Sequence, residues 1–492
     1  MRGGGGFQDL AYPENTTVAP SLTFRLGERT NLNLFYEYSR YYANPTIYDV
    51  PLLSDGNLPP ASLSPTYFAL VDFASHRFGY GLNHELNDSW QIRNNLAINL
   101  SSSERRETYY ADILNDRTLT DYRFFGGDYE DNSYFGLLDL VGRFRTGSIS
   151  HQLVAGFDFN RYIISNGVFD EGTSLPNLDI FDPDYNVSLP ESPEDVPFTF
   201  RQTNQSYGFY LQDQVTFSNN LKLLIGGRYD WISNNSEAFG DGINSPVQND
   251  SAFSPRIGLV YQPSQNVSLY TSYSQSFRPT TGRNSDNDAF EPTRGTQYEV
   301  GIRTEFLEGK LSANLAAYSL TRSNVLTPAL DPDLARQGFQ VQTGEQRSRG
   351  IELDIGGEIL PGWNVVASYA YTDAVVTEDN SIPEGNRLIN VPENQASLWT
   401  TYTIQEGDLK GLGFGLGVFY VGERQGDLAN TFQLDDYFRT DAAIYYRRGR
   451  FNAAVNVRNL LNVDYVSAAN FGRLYVQRGA PFTITGSISW EF

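Results

Sequence analysis

The sequence predicts an all-β protein, a transmembrane antiparallel β-barrel. Three observations carry that expectation: apolar and polar residues alternate over segments of about ten residues, short polar turns alternate with long connections, and aromatic residues gather at strand ends. Phe, Tyr and Trp number 32, 32 and 5, or 14% of the 492 residues. That length exceeds an ordinary domain but suits one large β structure.

The alternation recurs along the chain. Leu221, Leu223, Ile225 and Tyr229 oppose Lys222, Gly226, Arg228 and Asp230, with Leu224 out of step. Val267, Leu269, Thr271 and Tyr273 oppose Ser268, Tyr270, Ser272 and Ser274. Trp363, Val365, Ala367, Tyr369 and Tyr371 oppose Asn364, Ser368 and Thr372, with Val366 the exception. Leu412, Phe414, Leu416 and Val418 oppose the glycines at 411, 413, 415 and 417. Over residues 482–492 even positions are apolar or Gly and odd positions are Thr, Thr, Ser, Ser and Glu. Each segment is a strand with one oily and one wet face. Strand-end aromatics such as Trp363 and Tyr371 suit the two membrane–water interfaces. A soluble sandwich strand usually runs five or six residues.

The connections come in two alternating kinds. Tight polar turns fall at 27–30, 87–89, 146–148, 218–220, 263–266, 308–310, 360–362, 406–408 and 447–450, and Lys222, Lys310 and Lys410, the only lysines, lie at these turns. Long stretches fall between them at 42–75, 104–132, 167–200, 233–250, 279–295, 323–340, 377–394, 425–433 and 466–474. Short turns on one side and long loops on the other describe a bacterial outer-membrane barrel. Nine turns join eighteen strands, and the strand ending at Phe492 makes nineteen. Bacterial single-chain barrels have even strand numbers, and residues 1–7 hold no apolar signal-peptide region. Both facts predict a chain whose N-terminal sequence is missing.

Other chemistries find little support. With 36 Lys+Arg against 58 Asp+Glu the net charge is −22, which repels nucleic-acid phosphate. No Cys is present, which removes disulfides, Cys-zinc sites and thiol nucleophiles. His76, His84 and His151 are the only histidines, none at metal-ligand spacing and each read as lying near a short turn, away from a catalytic mouth. Residues 411–417 fail the dinucleotide spacing, and Leu311 stands where a P-loop needs Ser or Thr. The acidic pairs at 182–184 and 286–288 lack the glycine and bidentate Glu of an EF-hand loop. No metal and no cofactor is expected. Residues 167–198, with eight carboxylates, five prolines and no Lys or Arg, read as a solvated, partly rigid surface loop. Tyr41, Tyr42, Tyr109, Tyr110, Tyr122, Phe124, Phe125 and Tyr129 lie on the same side. Some belong to a girdle; others suit a vestibule that grips a compact ligand.

Several segments together resemble TonB-dependent outer-membrane receptors. They are Phe-Ser-Pro-Arg-Ile-Gly-Leu-Val-Tyr at 253–261, Tyr-Thr-Ser-Tyr-Ser-Gln-Ser-Phe-Arg-Pro at 270–279, and Gln-Tyr-Glu-Val-Gly at 297–301. Arg-Ser-Arg-Gly-Ile-Glu-Leu at 347–353, Tyr-Ala-Tyr-Thr-Asp-Ala at 369–374, Asn-Val-Arg-Asn-Leu-Leu-Asn-Val-Asp-Tyr at 456–465 and the terminal Phe492 complete the set. The likeness is greatest to the ferrichrome-type branch, which imports ferric hydroxamate siderophores.

The resemblance implies that residues 1–492 are the barrel domain of such a receptor, with about 19 strands of a 22-strand barrel and without the N-terminal plug. It implies a ferric siderophore as ligand and energised uptake through the TonB-ExbB-ExbD complex by way of the missing N-terminal region. Outer-membrane lipid would surround the barrel, and Phe492 would present the chain to the barrel assembly machinery. Strand parity turns Glu299 and Glu352 inward, and matching glutamates of that branch pair with plug arginines, so both are expected plug anchors. The branch's ligand-contacting aromatics match Tyr42 and Tyr109, with Phe169 a looser third. Before residues 479–481, where relatives often carry aromatics, this chain has Gln477 and Arg478. Rival readings are a passive porin of about 16–18 strands, a barrel enzyme with a mouth nucleophile, and a receptor for another large nutrient such as cobalamin.

Overall fold

The computed structural model describes residues 2–3, 14–43, 49–67, 70–191, 199–239, 245–331, 334, 339–470 and 472–491. Phe492, the expected assembly signal, lies outside them. Strand β1 comprises Glu14–Val18 and Ser21–Arg25, broken at Pro20, which has no N–H for a ladder. There follow β2 (Thr30–Ala43), β3 (Leu70–Glu85), β4 (Trp90–Tyr109), β5 (Arg123–Thr146), β6 (Ile149–Ser174) and β7 (Phe200–Ser218). Next come β8 (Leu221–Ala238), β9 (Ser245–Ser264), β10 (Val267–Arg278), β11 (Thr293–Phe306), β12 (Leu311–Pro328) and β13 (Gln340–Leu360). The last are β14 (Trp363–Glu378), β15 (Asn394–Thr403), β16 (Leu412–Val421), β17 (Tyr437–Arg448), β18 (Phe451–Arg458) and β19 (Thr483–Trp490). Each strand pairs antiparallel with the next, from β1 on β2 to β18 on β19. The protein is an all-β, transmembrane-type meander; Arg2–Gly3 also pairs antiparallel with Glu14–Asn15, so the described residues hold one strand more than the nineteen the turns imply.

All nine expected turns join consecutive strands, while the long connections differ from expectation. The stretch 104–132 is largely strand, because β4 runs to Tyr109 and β5 starts at Arg123. A ladder satisfies backbone groups whatever the side chains are, so β6 extends over 26 residues where about ten suffice to cross a membrane. Near the C-terminus the connections are longer than expected, since β18 stops at Arg458 and β19 begins at Thr483.

The two faces follow the pleat. Exposed Leu34, Tyr36, Phe78, Leu96, Leu138, Phe157, Phe209 and Ile225 form the outward face. Asp158, Tyr210, Arg228, Asp230 and Glu299 occupy alternate positions and face the lumen. A wall one sheet thick has no central core, and the buried apolar clusters lie in the long loops. One holds Leu53, Leu63, Tyr67, Tyr110, Leu119, Tyr122, Leu178 and Ile180; the other holds Val50, Leu52, Phe432, Leu434, Ala469 and Val476. The reading of 167–198 as a solvated loop is thereby corrected: Leu178 and Ile180 are buried, and Leu178–Asp179 pairs with Thr118–Thr120. Leu175, Leu178, Ile180 and Val187 pack into the first cluster while Phe181 stays exposed, and residues 192–198 of the stretch lie outside the described ones.

Candidate functional site

The long-loop mouth is built by segments far apart in sequence. Asp49–Val50, after β2, pairs antiparallel with Val476–Arg478, before β19, and that segment pairs with Val466–Ala469. Asn470 donates to both carboxylate oxygens of Asp49 at 2.9 Å, and the Leu52 N–H donates to Arg473 O at 2.7 Å. Arg478 donates through Nε to Asp464 at 2.8 Å and through Nη1 to Pro59 O at 2.6 Å, and only 7% of its side chain is exposed. These contacts clasp the first described long loop to the last.

Beside the clasp runs a chain of tyrosines. Tyr67 meets Tyr122 edge-on at 4.9 Å, Tyr122 lies 5.7 Å from Tyr110, and Tyr110 stacks on Tyr475 at 4.7 Å. The Tyr67 hydroxyl donates to Pro176 O and the Tyr122 hydroxyl to Pro65 O, so three loops are joined. Burial pushes the Tyr110 and Tyr122 phenols well above their usual range and, with Asp184 nearby, pushes Tyr67 up to about 12. All three stay protonated donors. Tyr109 follows on from this frame: its neighbour Tyr110 is 1% exposed, whereas Tyr109 is 43% exposed and shares the lumen face of β4 with Ser101, Ser103 and Arg105.

The three expected ligand aromatics do not converge. Tyr42 lies on the outward face of β2 with Leu34, Tyr36 and Tyr38, beside the Arg40–Asp72 ion pair, because an even number of residues separates it from those lipid-facing positions. Phe169 sits where the β5–β6 register shifts; its ring covers Gly126 and packs 6.3 Å from Phe124 rather than meeting Tyr109. Of the three, Tyr109 is the one that strand parity places on the lumen face.

Lower on the wall, Glu299 and Glu352 lie inward on β11 and β13, one strand apart. Glu299 accepts from the Tyr270 hydroxyl at 2.9 Å and from Gln297 Nε2 at 3.0 Å. Register sets Glu299 opposite Tyr318 and Glu352 opposite Ala316, so the two carboxylates stand at adjoining levels. A second lumen network was missed in the sequence: Arg228 pairs with both Asp158 and Asp230, and Tyr210 donates to Asp139. Inward parity of these residues was the available signal, but pairing among four strands is set by register. His84 binds Thr30 and His151 binds Asp213, both near short turns as expected. His76 instead sits among Tyr36 and Tyr38 on the long-loop half of β3, where the register between β2 and β3 carries it. No cluster of three or more metal-ligating side chains occurs among the described residues.

A wall one sheet thick, with an apolar outward face, a polar inward face and a mouth of folded loops, is the architecture of an outer-membrane β-barrel. The chain belongs to the family described as TonB dependent receptor-like, beta-barrel, whose model matches residues 17–460. It is 31% identical to the metal-pseudopaline receptor CntO of Pseudomonas aeruginosa, over 99% of this chain and 69% of that protein. It is 30% identical to the ferrichrome outer membrane transporter/phage receptor of Escherichia coli, over 92% of this chain and 64% of that one. Among solved structures, the siderophore receptor PiuA of Acinetobacter baumannii superposes with a TM-score of 0.87 at 22% identity, covering 99% of this chain and 76% of that one. Members of the family are transport receptors of the outer membrane, not enzymes.

Proposed function

We propose that this barrel takes up a ferric siderophore of the hydroxamate type, energised through TonB. The observation that carries the reading is the 30% identity to the ferrichrome transporter, to which the 29% identity to the ferrioxamine B receptor of Salmonella typhimurium adds weight. In this reading the chelate rests in the mouth with Tyr109 as aromatic contact, since an exposed, rigidly backed Tyr gives large contact area at low entropic cost. Phe169 lines the rim behind it. Glu299 and Glu352 form the barrel side of a contact with plug arginines. The iron arrives already chelated, so the barrel supplies shape and hydrogen bonds rather than metal ligands.

A second reading, a metal–pseudopaline chelate, is favoured by the 31% identity to CntO. Tryptophan-quenching titrations of the refolded protein against a ferric hydroxamate, a ferric catecholate, ferric citrate and cobalamin test the first. Hydroxamate-selective quenching is expected. Selective quenching by another ligand, or by none, overturns it.

A further inference from the structure

The outward face at the β17–β19 end carries a feature that uptake does not use. Ile444, Val455 and Gly486 lie abreast across three strands, and Tyr446, Ala453 and Ile488 form the row beside them. Ile444, Val455 and Ile488 are exposed, while Ala453 and Gly486 between them are small; among the described residues β19 pairs only with β18, so the notch is walled by β17 and β18. The result is a cavity of about 530 Å³ lined by these residues.

Directly below this notch is the turn at 447–450. Arg447, Arg448 and Arg450 are all exposed there, in a chain of net charge −22. None of the other eight short turns holds more than one basic residue. The Arg447 N–H donates to Gly411 O at 2.9 Å, which brings alongside the neighbouring turn with Lys410, together with Glu406 and Asp408. Tyr446, Phe451 and Trp490 stand between notch and turn, with ring centroids 6.5 and 6.1 Å apart. Apolar notch, aromatic rings and basic turn follow one another in the order acyl chain, glycerol interface and headgroup of a lipid.

We propose that the notch at Ala453 and Gly486, capped by Arg448, which shares the outward parity of Ile444 and Tyr446, and by Arg450 of the turn, is a binding site for an anionic phospholipid of the periplasmic leaflet. The acyl chain fills the notch and the phosphate meets the guanidinium groups, which suit phosphate as planar bidentate donors. Short turns mark the periplasmic side of such a barrel, which sets the leaflet.

Native mass spectrometry of the refolded protein, equilibrated in micelles holding equal amounts of phosphatidylglycerol and phosphatidylcholine, tests it. Wild type is expected to retain phosphatidylglycerol in preference. Each of Arg448→Gln and Arg450→Gln should cut that preference by up to about fivefold, the weight of one basic residue near an anionic surface. Gly486→Leu fills the notch and should lower retention of both lipids while leaving their ratio unchanged. Equal retention of the two lipids by wild type, or a preference untouched when Arg448→Gln and Arg450→Gln are combined, overturns the proposal.

Discussion

Tyr475 accepts the backbone N–H of Tyr110 at 3.1 Å, donates its hydroxyl back to the Tyr110 carbonyl, and stacks on the Tyr110 ring. The two are 365 residues apart. The Tyr110 hydroxyl in turn donates to Leu474 O, so the start of one long loop and the middle of another share a reciprocal lock. Tyr109, the exposed ring on the lumen face of β4, is held by the peptide that carries this lock.

Tyr475→Phe keeps the ring stack but leaves the buried Tyr110 N–H without its acceptor, a loss of about 1–3 kcal/mol. Hydrogen exchange of residues 110–122 and 472–478 should quicken by roughly tenfold or more, since 1.4 kcal/mol is a factor of ten. Exchange unchanged from wild type would show that the lock bears no load.

Tyr109→Ala is expected to weaken ferric hydroxamate binding by about ten- to a hundredfold, in the range for a Tyr anchor. Tyr42→Ala, on the outward face, should leave affinity within about twofold, as surface changes away from a site usually do. Fluorescence titration of both variants separates the two positions, and equal losses would place Tyr42 in the site after all.

Arg228→Ala leaves Asp158 and Asp230 facing each other across the wall without their cation. Asp230 is 6% exposed, which makes the unpaired charge costly, while lumen water moderates the effect. A loss of about 2 kcal/mol in unfolding free energy is expected, recovered only in part by Arg228→Lys, because an ammonium cannot serve both carboxylates with a planar fork. Urea titration in lipid checks this.

Two outer-loop carboxylates should answer pH in opposite senses. Burial holds Asp49 above the usual carboxylate range, against the opposing hydrogen bonds from Asn470. The folded clasp therefore binds that proton more tightly than the unfolded chain, and its stability falls as pH rises through the raised value. The Phe181 N–H and then Arg117 hold Asp179 below the usual range. Its contribution is present above that range and lost as pH falls through the lowered value. Protease protection of each loop in Asp49→Asn and Asp179→Asn, compared with wild type at matched pH, should show the corresponding dependence flattened.

Much of the wall was legible in the sequence. Period-2 alternation such as that of residues 482–492 reports a local geometry, and each of the nine turns is specified by its own few residues. The inward parity of Glu299 and Glu352 follows from the same rule. The mouth was not legible, because its contacts join Asp49 to Asn470 and Tyr110 to Tyr475, and no local pattern encodes a partner hundreds of residues away. Tyr42 shows the limit at single residues: the resemblance matched it to a ligand-contacting aromatic, whereas counting along β2 from Leu34 and Tyr36 turns it outward. Leu178 and Ile180 were hidden among carboxylates whose abundance suggested solvent.

The most direct test is an anomalous-diffraction map at the iron edge from crystals of the protein grown with a ferric hydroxamate. An iron peak in the vestibule beside Tyr109, under the loops clasped by Tyr110 and Tyr475, is the expected result. No iron peak at the mouth at saturating chelate, or a peak confined to the lower wall beside Glu299, would contradict the assignment of this barrel as a ferric hydroxamate receptor.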